Sequence, residues 1–244
     1  MGLDINCDMG EGMANDHLIM PFISSANIAC GYHAGGDALI RRTIDLCIQH
    51  SVHIGAHPSF KDKEHFGRRE LRLSLEEIYS LVIQQLVKID LIAKEKQRPL
   101  HHVKPHGALY NLSARDKEVA RTIATAVKDF DESLVLYGLS GSFSVSEALA
   151  LGLQTRSEVF ADRTYQDDGS LTPRSQPGAL ITRVEDAVQQ VLQMVNEKTV
   201  TTVSGKRIPI QAQTVCIHGD GKHAALFART LHRTFINHQD AINH

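Results

Sequence analysis

Seven short segments with strand-type alternation, most of them ending in polar residues beside glycine or proline, recur along this chain: residues 3–8, 24–30, 52–58, 101–107, 133–138, 155–160 and 214–217. Helical sequence separates most of them. Neighbouring strands joined by helices must run parallel, because tight hairpins join only antiparallel neighbours. A closed β/α barrel and a doubly wound open sheet both satisfy this order. The barrel is the expected fold: polar faces recur on strands one, three, four, six and seven, and a single closed mouth gathers them, whereas an open sheet scatters them along an edge.

The first strand shows the pattern most clearly. With a two-residue period, Asp4, Asn6 and Asp8 share one face and Leu3, Ile5 and Cys7 the other. Carboxylates are rarely buried without partners, so the polar face needs water, cations or a ligand. Gly10-Glu11-Gly12 follows, leaving Glu11 exposed at the carboxyl end of the strand, where parallel α/β folds bind ligands. Asp8, near that end, is expected to be solvated by water or ligand and to contribute little to folding. The second strand runs into Gly31-Tyr32-His33, and the third places His53, Gly55 and His57 on one face before Pro58 ends it. The fourth carries His102, Lys104 and His106 on one face, and the sixth sets Arg156 and Glu158 opposite Ser157 and Val159.

Apolar spacing predicts helices over residues 15–22, 37–50, 74–97, 113–130 and 182–196, with capping-box patterns at Ser74/Glu77, Ser144/Glu147 and Thr182/Glu185. Residues 199–210 read as a hairpin turning at Ser204-Gly205. Residues 161–178 have no regular period, and so long a loop in a compact fold reads as a lid over the mouth. No repeat or linker divides the 244 residues, which are expected to form one domain.

Charge excludes some functions. With 26 Lys and Arg against 28 Asp and Glu, nothing in the net charge of −2 asks for nucleic acid or an anionic membrane. Cys7, Cys30, Cys47 and Cys216 lack zinc or CxxC spacing, and no signal peptide or long apolar run is evident, so the expectation is a reduced cytoplasmic protein.

Histidines at strand ends together with Asp8 compose either a general-base site or a metal site. No HxH or HExxH spacing supports the metal version, and the presence of a protein-bound divalent metal stays open. Lys104, facing inward, needs a carboxylate or an anionic ligand, and Asp8 or Glu158 could supply the partner. Gly219-Asp220-Gly221-Lys222 is not a Walker A motif, since Cys216 and His223 stand where Gly and Ser or Thr belong. A helix starting at Gly221 would still offer N–H groups to an anion. GxSxG is absent, which removes support for acyl-enzyme chemistry.

The blocks DINCDMGEG, ANIACGYHAGG, GAHPSF, VKPHGALYN, EVFADRTY and CIHGD, in this order, resemble the LamB/YcsF family of lactam-utilisation proteins. The resemblance implies a seven-stranded β/α barrel related to the glycoside hydrolase/deacetylase superfamily. It also implies an ATP-hydrolysing 5-oxoprolinase activity that opens 5-oxoproline to glutamate, with ATP and its Mg counter-ion as co-substrate and with partner subunits B and C. Motif positions carried onto this chain are Asp8, His57, Lys104, His106 and Glu158 as catalytic, and Asp4, Asn6, Glu11, His33, Asp162, Arg163, His218 and Asp220 as substrate-binding. A lactam is an unreactive amide, so water attack needs an activated carbonyl and a general base. Asp8 or His57 could be the base, with Lys104, His106 and Arg163 stabilising phosphate or oxyanion charge. Two other readings compete: a metal-dependent deacetylase or hydrolase of the same superfamily, and a non-catalytic ligand-binding or regulatory subunit.

Overall fold

The structure, a computed structural model, describes residues 3–219 and 224–242. Its strands and helices alternate: β1 (Asp4–Met9), α1 (Asp16–Ile19), β2 (Ser25–Ala29), α2 (Asp37–His50), β3 (His53–His57), α3 (Leu75–Glu95), β4 (His102–Val103), α4 (Gly107–Arg115), α5 (Lys117–Phe130), β5 (Val135–Leu139), α6 (Phe143–Ala150) and β6 (Thr155–Phe160). There follow α7 (Val184–Leu192), the hairpin β7 (Thr199–Thr201) and β8 (Arg207–Pro209), then β9 (Thr214–Ile217) and α8 (Ala224–Ile242). Among the described residues, seven parallel strands close into a barrel in the order β1-β2-β3-β4-β5-β6-β9, with β9 pairing to both β6 and β1. The expected barrel is therefore the observed one, and the hairpin pairs antiparallel outside it.

Ile5, Cys7 and Met9 face outward from β1 into the apolar layer beneath the helices, with Ile28, Val103 and Val215 from other strands. Inward, side chains stack in polar tiers as the strand period requires. Close packing inside the barrel depends on Gly55: a Cβ there would lie 2.1 Å from Nε2 of His102, whose ring fills the space a side chain would occupy. That ring stacks on Tyr137 at 4.2 Å.

Some helix boundaries differ from expectation. The helix expected from Ser113 is two helices, because α4 begins at Gly107, where the Ala108 N–H donates to the Gly67 carbonyl at 2.9 Å across a tertiary contact. Asp116 then caps α5 by accepting from the N–H groups of Glu118 and Val119. The capping box at Ser74 forms as expected, with Glu77 N donating to Ser74 Oγ and Ser74 N to Glu77 Oε2. The other two do not form. Ser144 lies inside α6, sharing a 2.8 Å hydrogen bond with Ser113, while Glu147 pairs with Arg121. The N-cap of α7 is Arg183 without a side-chain bond, and after Leu192 that helix widens into a π turn, Gln193–Glu197.

The long loop after β6 is not structureless. Antiparallel bridges join Arg163 to Leu180 and Tyr165 to Leu171, and Thr164 Oγ1 donates to Thr172 Oγ1. The β7–β8 turn braces it from outside: Thr202 and Ser204 both donate to Asp167 Oδ1. Among the described residues, no helix is long and apolar enough to cross a membrane.

Candidate active site

At the carboxyl ends of the strands the barrel opens into a cavity of about 850 Å³, within the roughly 300–1,000 Å³ usual for small-molecule sites. Asp8, Glu11, His57, Lys104, His106, Arg163 and His218 contribute to its wall.

Lys104 forms the floor. Its Nζ lies 2.9 Å from Asp8 Oδ1, 2.9 Å from Glu158 Oε1 and 3.0 Å from Cys216 Sγ. Burial alone would strip its proton, but the Asp8 and Glu158 carboxylates outweigh that and raise its pKa. Burial likewise pushes the Asp8 carboxyl up, and the charges of His57 and Lys104 reverse the sign and hold it well below the ordinary carboxylate value. Asp8 is thus only 7% exposed and ion-paired, which corrects the expectation of a solvated carboxylate with little structural role. The charge of Lys104 is taken up by two carboxylates rather than left open for an incoming phosphate.

Above Asp8 stands a histidine cluster. His57 Nδ1 lies 2.7 Å from the Lys104 carbonyl, and its Nε2 faces Asp8 Oδ2 at 3.3 Å and His106 Nδ1 at 2.8 Å. His106 Nε2 contacts the Phe66 carbonyl at 2.9 Å. His33 stacks on His106 with ring centroids 3.8 Å apart and reaches Glu11 Oε1 at 3.0 Å. Burial lowers the pKa of His33 to about 3. The loop carrying Phe66 is held close by Gly67, at φ +65, where a Cβ would meet Ser59 Oγ at 2.2 Å. Gln85 of α3 clamps the same loop, accepting from Ser59 N and donating to its carbonyl.

On the opposite wall, half-buried His218 places Nδ1 2.9 Å from Asp162 Oδ1. Burial raises the Asp162 carboxyl, but the His218 charge and hydrogen bond outweigh it and the net shift is downward. Arg163 directs its hydrogen bonds to the Thr172 and Ala179 carbonyls, and burial lowers its pKa to about 10.

Five of the expected site residues stand outside the cavity wall. Asp4 lies at the opposite end of β1, accepting from Ser25 and Thr214, and Asn6 is fully buried above it between Thr214 and Asn27. Period two marked their face but not their depth. Glu158 lies fully buried beneath Lys104, Asp162 stands behind His218, and His33 stands behind Glu11. Asp220, like the helix start expected at Gly221, lies outside the described residues. The wall also contains residues that sequence reading did not single out, among them Arg68, Tyr110, Arg115, Phe160 and Arg174. The charged stretch KDKEHFGRRE was a visible hint of Arg68, but no period assigns a loop residue to a wall.

Comparison with known proteins decides the family: the LamB/YcsF family matches residues 3–243. The chain belongs to the LamB/YcsF family. This LamB/YcsF chain is 53% identical over 231 residues to a protein of Tolumonas auensis named as the A subunit of 5-oxoprolinase, covering 93% of this chain and 92% of that one. A Staphylococcus aureus protein of the same name is 50% identical over 232 residues, covering 93% of each chain. Among solved structures, the lactam utilization protein from Thermus thermophilus superposes with a TM-score of 0.91 at 42% identity over 98% of both chains. A putative cellobiose-phosphate cleavage protein from Enterococcus faecalis shares the fold at TM-score 0.54 and 13% identity, covering 94% of this LamB/YcsF chain and 90% of that one.

Proposed function

We propose that this chain is the A subunit of a cytoplasmic, ATP-dependent 5-oxoprolinase that hydrolyses 5-oxo-L-proline to L-glutamate together with partner subunits B and C. The observation that carries this reading is the near-complete alignment, at 53% identity, with a protein of that name. The barrel mouth supports it with the polar chemistry the reaction needs.

In this reading the lactam oxygen takes the γ-phosphoryl group of ATP, releasing ADP and leaving a carbon open to water. Water adds there, the ring C–N bond breaks as the amine takes a proton, and a second water hydrolyses the resulting acyl phosphate to glutamate and phosphate. His218 is the general acid–base: it faces the cavity, and Asp162 orients its ring through Nδ1, leaving Nε2 for the water or the departing amine. Asp8 and His57, the bases expected from sequence, are committed to Lys104 and to His106. Arg163, whose guanidinium braces the Thr172 and Ala179 carbonyls, adds positive charge to the wall that faces the anionic substrate, and residues 168–171 and 173–175 of its loop line the mouth.

The test is turnover of ATP and 5-oxoproline by the chain with and without its partner subunits. The expected outcome is almost no glutamate from the isolated chain and ATP-coupled glutamate from the assembled complex. A complex that hydrolyses no 5-oxoproline, or an isolated chain that deacetylates in its place, overturns the assignment.

A further inference from the structure

Two backbone carbonyls fix the histidine cluster in an arrangement that a neutral protein interior does not explain. A carbonyl oxygen only accepts, so the contact of His57 Nδ1 with the Lys104 carbonyl at 2.7 Å places an N–H on Nδ1. The contact of His106 Nε2 with the Phe66 carbonyl at 2.9 Å places an N–H there by the same argument. The remaining nitrogens, His57 Nε2 and His106 Nδ1, then face each other at 2.8 Å with lone pair against lone pair. A positive charge between them, either a proton carried by one ring or a metal ion held by both, turns that repulsion into attraction.

Two carboxylates converge on the same point. Asp8 Oδ2 is 3.3 Å from His57 Nε2, and Glu11 Oε1 is 3.4 Å from His106 Nδ1 and 4.0 Å from His57 Nε2. A tetrahedral ion with bonds of about 2.1 Å has ligand–ligand edges of about 3.4 Å, which these separations bracket. Asp8 Oδ1 is held by Lys104 and Asn27, so Oδ2 is the oxygen turned toward the histidines. Glu11 receives His33 Nε2 at 3.0 Å. An imidazole anchored through its far nitrogen to a carbonyl, beside a carboxylate steadied by another donor, is the outer support that metal ligands require. Phe66 reinforces this: its backbone is left-handed at φ +55, an uncommon state for a bulky residue, and it is this residue whose carbonyl fixes His106.

We propose that the barrel mouth binds one divalent transition-metal ion, of the zinc, cobalt or manganese class, through His57 Nε2, His106 Nδ1, Glu11 and Asp8, with His33 orienting Glu11. Two imidazoles and two carboxylates are a borderline-to-hard donor set, which suits those ions better than copper(I) or calcium. A second grouping, Asp8 with Cys216 and His218, lies close by. It is the poorer site, because Lys104 Nζ donates to Cys216 Sγ itself, the only ligand atom of that side chain, at 3.0 Å, whereas on Asp8 it takes Oδ1 and leaves Oδ2.

The proposal does not depend on the substrate, so its test reads no turnover. Untagged chain is stripped with chelator and titrated with Zn²⁺, Co²⁺ or Mn²⁺ alone by calorimetry, and Co²⁺ is also followed by its visible absorption. The expected result is one equivalent bound, weakened by roughly a hundredfold in Glu11→Gln and in His106→Gln, and unchanged in His53→Gln at the other end of β3. Cooperative melting of each variant shows that it is folded. If His106→Gln does not fold, Glu11→Gln, whose residue is less buried, decides alone. Absence of a one-equivalent site, or one that Glu11→Gln leaves intact, overturns the proposal.

Discussion

The two ends of β1 carry the same residue type for opposite purposes. Asp4 and Asp8 lie four residues apart on one face of one strand, yet Asp4 meets the hydroxyls of Ser25 and Thr214, and Asp8 meets an ammonium and an imidazole. From the floor upward the donors and acceptors form an unbroken chain: Thr214 donates to Asp4, Asn6 to Thr214, Asn27 to Asn6, and His102 to Asn27. Every group there is matched by a neighbour, so the floor is a closed polar network that specifies the barrel interior. At the mouth the matching stops: His57 and His106 present nitrogens to each other, and His218 presents a ring edge to open space. Polar residues inside a barrel therefore mark a site only where their hydrogen bonds are left incomplete.

This contrast breaks most sharply at Lys104. Lys104→Met takes the ion-pair partner from buried Glu158 and leaves Asp8 with only His57 and Asn27, and stability should fall by about 3–5 kcal/mol, measured by denaturant unfolding. A stable variant would mean that water already solvates the two acids. The next largest effect falls on the opposite wall. His218→Gln should lower turnover of the assembled complex by about a hundredfold while the melting temperature stays near wild type; retained rate would remove His218 from acid–base duty.

A floor residue should behave in the reverse way. Asp4→Asn keeps the shape but turns one acceptor into a donor facing Ser25 or Thr214, at a cost of about 1–2 kcal/mol, with turnover unchanged. Loss of rate without loss of stability would erase the distinction between the two ends. Acid should act more weakly and through the mouth. The folded Asp162 carboxyl lies below its ordinary value of 3.8, so its contribution to stability is complete above that pH and lost as pH falls through the lower folded value. Melting measured from about pH 5 downward should show a shallower acid limb in Asp162→Asn; an unaltered limb would show that the His218 pairing adds nothing to folding. Smallest of all, Ser74→Ala, far from either end, should cost about 1 kcal/mol through loss of the α3 cap, read from thermal melts, and should alter neither metal binding nor turnover.

Local chemistry determined much of this molecule in advance. The capping box at Ser74, the alternation of Asp4, Asn6 and Asp8 with Ile5 and Cys7, and the hairpin at Ser204-Gly205 depend on residues within a few positions of each other, and all appear as expected. The barrel followed from the order of strands and helices, because parallel pairing leaves few ways to gather polar faces. Depth, however, is not local. Whether Asp4 or Asp8 reaches the cavity depends on the stagger of strands against their neighbours, and whether Ser144 caps a helix depends on Ser113, more than thirty residues away. Gly107 looks like a helix breaker until the Gly67 carbonyl arrives to receive the N–H beside it. The same holds for the histidines. Sequence placed His33, His57 and His106 at strand ends, but only tertiary structure fixed which nitrogen each presents, because the carbonyls of Lys104 and Phe66 that choose the tautomers come from distant segments.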